Sequence, residues 1–306
     1  MSSEPMSSEP VSSERLGASE PDAGVLVELE RLAVQVATEA ALLIADRAAA
    51  GVLDTKSTAT DVVTQMDRRS QELIADLLRE ARPDDAFFGE EGGDRQGSSG
   101  ITWVVDPIDG TVNYVYDIPA FAVSVAAVVG DPRVPGQWRP VAAAIVNPIS
   151  GERFWARVGG GAWRQRGRHA PRQIAVSTQG ELALALVATG FAYDAATRHW
   201  QARVLVPVLP QIRDIRRGGS AALDLCHVAD GSLDGYYERG LNPWDLAAGW
   251  LLVLEAGGQV TNLAGDPPDR AMTIAGGALC DPLRELLGAA ISGVDDTPDG
   301  PGGMKA

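Results

Sequence analysis

The stretch WVVDPIDGTVNY, residues 103–114, ends an apolar run with two aspartates three residues apart, a proline between them and a glycine after. Asp106 and Asp109 held in one space repel each other, and the pKa of at least one must rise. A divalent cation removes the conflict. Hard carboxylate oxygens suit Mg²⁺, which keeps room in its shell for water and phosphate. Pro107 fixes φ and bends the chain, and Gly110 permits a tight turn or the close approach of a ligand. The alternative is a turn in which both carboxylates cap backbone amides.

Other acids share this ambiguity one at a time. FFGEEGG places Glu90 and Glu91 at the end of a β-type run, NPWDLAAG puts Asp245 in the first turn of a helix beside Trp244, and DVVTQMD offers Asp61, Thr64 and Asp67. Each alone reads as a solvated pair, an acid complementing a helix dipole, or an N-cap. Together they fit a two-metal hydrolase, in which ions about 4 Å apart clamp a phosphate and activate water. No serine or cysteine nucleophile is evident. His169, His199 and His227 are scattered without zinc-ligand spacing, and Cys226 and Cys280 read as buried thiols.

The elements that must position these acids form two groups. Residues 25–50 carry apolar side chains at helical spacing, including Leu29, Leu32, Val36 and Leu43, and MDRRSQELIADLLREA continues as a second amphipathic helix. Short β-type runs follow: AFFG, TWVVD, FAVSVAAVV, VAAAIVNPI and ERFWARV, with GGGAW a hairpin turn. After about residue 170 strands and helices alternate. LALVATGF reads as a strand, and AATRHWQARVLVPVL as a helix ended by Pro207 and Pro210. SAALDLCHVADG is a helix with Ser220 as N-cap and Gly231 past its end, LDGYYE a strand, PWDLAAGWLLVLEAGG a helix opened by Pro243, and MTIAGG a strand. A mixed α and β, layered protein is expected.

The 306 residues are 45% hydrophobic and 22% charged, as in a globular protein with a substantial core. A net charge of −15 argues against direct nucleic-acid binding. No apolar run is long enough to span a membrane, and no secretory leader is evident, so a cytoplasmic protein is expected. Residues 1–22, with the repeat MSSEPMSSEP, and 291–306 read as disordered tails. Between them an N-terminal α+β half, 23–168, carries most of the acids and a C-terminal α/β half, 169–290, completes the site. Basic residues comprise 24 arginines and two lysines, and Lys56 is the one lysine outside the C-terminal tail.

DPIDGTVN, GEEGG, DVVTQMD and WDLAAG followed by EAGG together resemble the signatures of the inositol monophosphatase family, in that family's order, over residues 25–290. RRGGSAALDLCHVADGSLDGYYE resembles the C-terminal half of its bacterial SuhB-type members. The resemblance implies a layered αβαβα sandwich, a homodimer, and two or three Mg²⁺ ions per site. By position it implies Glu90, Asp106 and the carbonyl of Ile108 at a first metal, and Asp106, Asp109 and Asp245 at a second. Glu90 would reach a weaker third ion through water. Asp67 and Thr111 match the pair that activates water, and Lys56 a lysine near it.

Gly110 and Thr111 would grip phosphate through their N–H groups. Glu238, Asp109 and the backbone of Gly219, Ser220 and Ala221 would hold the alcohol. Arg216 and Arg217 face either the substrate or a second subunit. Val112, Tyr114 and Pro243 depart from the common pattern near the site. The implied activity is hydrolysis of myo-inositol 1-phosphate or a related polyol phosphate. Histidinol phosphate and fructose 1,6-bisphosphate are rival substrates, and a transcription-associated binding role is a rival of another class.

Overall fold

The computed structural model describes residues 21–45, 53–55 and 62–295. Lys56, Asp61 and nearly all of both tails lie outside the described residues. The N-terminal part comprises α1 (Ala23–Ala45), β1 (Leu53–Thr55), β2 (Val62–Thr64), α2 (Gln65–Ala81), β3 (Ala86–Gly89), β4 (Ile101–Asp109) and α3 (Thr111–Val115). It continues as β5 (Ala122–Gly130), β6 (Trp138–Asn147), β7 (Glu152–Arg157), β8 (Ala162–Arg166) and β9 (Arg172–Gln173). The C-terminal part comprises β10 (Leu186–Thr189), α4 (Ala195–Val208), β11 (Asp214–Arg216), α5 (Ala221–Ala229) and β12 (Gly235–Glu238). The last elements are α6 (Pro243–Glu255), β13 (Gln259–Thr261), β14 (Thr273–Gly276) and α7 (Cys280–Asp295).

Strands β3 to β9 lie in chain order in one seven-stranded sheet, antiparallel except for the parallel β3–β4 pair at its edge. The second sheet has the order β11-β10-β12-β14-β13, and β1 and β2 pair separately. Three hydrophobic cores separate the layers. Leu29, Val36 and Ile44 of α1 and Ile74 of α2 pack on one face of the large sheet, against Trp103, Val105 and Val125. The other face meets α5 and α6, where Val104, Ala126 and Phe154 pack with Leu225, Leu251 and Leu252. The outer face of the small sheet is covered by α4 and α7 through Trp200, Val204, Leu283 and Leu287. The architecture is the αβαβα sandwich.

Several details differ from the sequence reading. The large sheet extends to Gln173, past the expected division at 168, because β9 pairs with β8. Helix α7 continues to Asp295, past 290, since its apolar residues bury against the small sheet. Helix α4 runs one residue beyond Pro207 before a tight turn containing Pro210. Strands β11 and β13 are only three residues long and carry no alternating pattern to read. GGGAW turns the chain between β7 and β8, as expected.

One irregularity positions the chemistry. Asp106 lies opposite Ser124 on β5 and Asp109 opposite Ala122, so β4 carries one residue more than its partner over this interval. In a regular strand, residues i and i+3 point to opposite faces. The extra residue of a bulge shifts the alternation by one. Ile101, Trp103 and Val105 face the α1 core before the bulge, and Ile108 faces it after. Asp106 and Asp109 therefore both face the central layer.

Candidate active site

The acids arrive at the central layer from separate elements. Glu90 follows β3 directly, its N–H bonded to the Val105 carbonyl of β4 at 3.2 Å. Asp245 is the third residue of α6, opened by Pro243 at its N-terminal turn, and its Oδ2 accepts the Asn242 N–H at 2.7 Å. Asp109 Oδ2 accepts from the Ser220 hydroxyl and, at 2.8 Å, from the Ala222 N–H at the start of α5. Asp106 Oδ1 accepts the Ile108 N–H at 3.0 Å. The capping and metal readings of these acids are thus compatible. One oxygen each of Asp106, Asp109 and Asp245 fixes it to the backbone, and the second oxygens of Asp106 and Asp245 have no hydrogen bond among the described residues.

Asp106, Asp109 and Asp245 each offer an oxygen within 4.8 Å of the others. Glu90 is not in this set but lines the same cavity and acts electrostatically on both Asp106 and Asp245. Burial, then the charges of Glu90, Asp109, Asp245 and Asp67, push the Asp106 carboxyl well above the usual range. Burial, Glu90 and Asp109 do the same to Asp245. Asp109 is raised to about 6 by burial, held down by its Ser220 and Ala222 donors. Asp106, Asp109 and Asp245 have converging oxygens and no ion pair with an arginine among the described residues, which suits a hard divalent metal in both charge and donor type.

These residues line a cavity of about 320 Å³ together with Ile108, Gly110, Thr111, Gly219, Ser220, Ala221 and Glu238. Every described residue assigned from sequence to metal or substrate is therefore in one place. Asp67 lies behind, fully buried, and the one proton of Thr111 Oγ1 can go to its Oδ1 at 3.3 Å or to the Ile108 carbonyl at 3.1 Å. Gly110 takes the left-handed conformation, φ 93°, that the turn after Asp109 requires. Tyr114 is buried edge-on against Phe121 with ring centres 5.0 Å apart, away from the acids. Arg217 lines the cavity, whereas Arg216 pairs with Asp214 at 2.7 Å where both side chains are half exposed.

Two residues, one behind the wall and one in it, escaped the sequence reading. Tyr236, fully buried on β12, donates its hydroxyl to Glu238 Oε2 at 2.6 Å. Asp224, on α5, is buried beside Asp109 and Glu238. Burial and those two charges raise its carboxyl to about 8, and burial with Asp109 raises Glu238 to about 7. A signal existed for Asp224: it stands four residues after the N-cap Ser220 and so shares its side of the helix.

A family model described as the inositol monophosphatase family matches residues 25–296. The chain belongs to the inositol monophosphatase family. Among this family member's relatives, the inositol-1-monophosphatase SuhB of Mycobacterium tuberculosis is 44% identical over 250 residues, which cover 76% of this chain and 83% of that protein. A Nus factor SuhB of Xylella fastidiosa is 40% identical over 206 residues, 67% of this chain and 70% of that one. The solved inositol monophosphatase of Anabaena superposes with a TM-score of 0.73 at 32% identity, covering 87% of this chain and 97% of its own. This family member is a phosphatase for a small phosphorylated substrate, with acids arranged to bind metal. No described helix is long and apolar enough to cross a membrane.

Proposed function

We propose that the chain is a Mg²⁺-dependent phosphomonoesterase that hydrolyses myo-inositol 1-phosphate or a closely related polyol phosphate. The observation that carries this reading is the convergence of Asp106, Asp109 and Asp245 within 4.8 Å, with Glu90 beside them, in a cavity that also holds Glu238. Glu90, Asp106 and the Ile108 carbonyl would hold one ion, Asp106, Asp109 and Asp245 a second, and Glu90 a weaker third. Such ions, when bound, polarise the phosphoryl group, lower the pKa of water and offset charge on the departing alkoxide.

The chain's own residues do the rest. Because the single Thr111 proton points to Asp67 Oδ1 or to the Ile108 carbonyl, the oxygen's lone pairs are left to accept from the attacking water and orient it. As water gives a proton to the Thr111 oxygen, the Thr111 hydroxyl passes its own proton to Asp67 Oδ1, fully buried behind it. The N–H groups of Gly110 and Thr111 hold phosphate oxygens, Lys56 supports the water, and positioning with charge supplies most of the rate. Glu238, Asp109 and the backbone of Gly219, Ser220 and Ala221 hold the alcohol. The same reading makes the protein cytoplasmic and a homodimer, and light scattering of the purified chain tests the dimer.

The name of the Xylella relative supports a second reading, a protein that acts by contacting the transcription machinery. The complete acid set favours catalysis. A panel of myo-inositol 1-phosphate, histidinol phosphate and fructose 1,6-bisphosphate, ranked by kcat/KM with and without Mg²⁺, tests the proposal. Mg²⁺-dependent turnover with the inositol ester first is expected; no turnover of any ester with Mg²⁺ overturns it.

A further inference from the structure

One carboxylate of the cavity has no part in holding a cation or moving a proton. Asp224 is 5% exposed, lines the cavity wall and stands outside the set that converges on a metal. Its neighbours are the charges of Asp109 and Glu238, and Arg217 is the cation that acts on all three. Asp224 makes no side-chain ion pair among the described residues. The backbone leaves room for it. A Cβ on Gly218 would fall 2.6 Å from Asp224 Oδ1, and one on Gly190 only 1.9 Å from Glu238 Oε2. Two glycines thus seat two carboxylates against the main chain, and each seat exists only where the side chain is missing.

Buried acceptors without donors are unfavourable unless a ligand brings the donors. The Gly218 backbone bonds Asp224 and Tyr236 serves Glu238 Oε2, so each carboxylate keeps one oxygen for another partner. Each hydroxyl of a polyol donates one hydrogen bond and accepts others, which matches carboxyl oxygens on one side and a guanidinium on the other. A second phosphate at this end would meet Asp224 and Glu238, and an amine would meet Arg217. Neutral hydroxyls satisfy both. Building on the phosphatase reading, we propose that Asp224 is a specificity residue that, with Glu238, accepts the hydroxyls of a vicinal diol on the substrate while Arg217 donates to the same diol.

The test is a ratio: kcat/KM for myo-inositol 1-phosphate divided by kcat/KM for phenyl phosphate, which has no hydroxyl to read. In Asp224→Ala the ratio falls about tenfold or more, through KM for the inositol ester, as expected when a site built for hydroxyls loses a partner. Asp224→Asn, which keeps an acceptor at the same place, recovers part of the loss. A ratio within about twofold of wild type in Asp224→Ala, or equal losses on both esters, overturns the proposal. Should Asp224→Ala fail to fold, the wild type decides: a deoxy analogue lacking one hydroxyl of the diol is turned over about tenfold less efficiently, and equal turnover overturns the proposal. If the wild type hydrolyses neither ester with Mg²⁺, the phosphatase reading fails by itself. Calorimetry with free myo-inositol then judges the diol site, where Asp224→Ala must weaken binding about tenfold.

Discussion

Asp85 and Asp106 are each 1% exposed, and their surroundings are opposite. Asp85 receives Arg82 Nε at 2.6 Å and Trp103 Nε1 at 2.9 Å, so its charge is matched by a cation and its oxygens by donors. The Asp230 side chain, fully buried, is likewise paired with Arg164 at 2.6 Å. Asp106 faces Glu90, Asp109, Asp245 and Asp67, all of its own sign. Among the described residues no arginine is paired with Asp106, although Arg217, Arg239 and Arg270 line the same cavity. Where a buried acid serves the fold, its counter-charge is built in. Where it serves chemistry, the counter-charge is left to arrive from outside.

The largest effect that can break this contrast is on turnover. Asp106→Asn should lower kcat roughly 10³-fold, about 4 kcal/mol of barrier, while the metal-free variant melts no lower than wild type because one repelling charge has gone. Kinetics with Mg²⁺ and melting in EDTA check both halves; a loss below tenfold would erase the distinction. Asp85→Asn should do the reverse. Breaking a buried pair costs on the order of 3 kcal/mol of stability, seen in urea denaturation, with activity per folded molecule retained.

Protons sharpen the comparison next. In the metal-free protein Asp109, Glu238 and Asp224 titrate near about 6, 7 and 8, all above unfolded-chain values. Their contribution to stability is fully present below the unfolded values and is lost as pH rises through the folded ones. Added Mg²⁺ replaces the missing charge, so it should raise Tm more at about pH 8 than at about pH 5. The opposite order would mean the acids are not the ion's ligands. The smallest effect concerns Gly190→Ala, whose Cβ displaces the flexible end of Glu238. KM for the polyol ester should rise about threefold to tenfold, with little change in Tm.

Much of this was legible in the sequence. Asp245 beside Pro243 could be placed in the first turn of a helix, Ser220 could be read as a cap, and two groups of strands implied layers. The acid clusters together suggested a two-metal site, and the family resemblance supplied which of Glu90, Asp106, Asp109 and Asp245 meet, since nothing local brings the end of β3, β4 and α6 together. What escaped depends on tertiary approach. Asp224 sits in LDLC as an ordinary helical acid until α5 meets β4 and β12. Gly190 has meaning only against Glu238, which reaches it from another strand. Three-residue strands such as β11 and β13 are defined by their partners and leave no periodicity of their own.

The bulge at Pro107 also constrains how such a centre can arise or be lost. Side chains of a strand have two directions and nothing between, so the acid pair is either assembled or split across the sheet. Deleting one codon there would send a carboxylate into the packing of α1 and α2 in a single step. Gradual drift has no route through that change, and a descendant that abandoned the chemistry would do so more easily by replacing the acids than by altering the spacing.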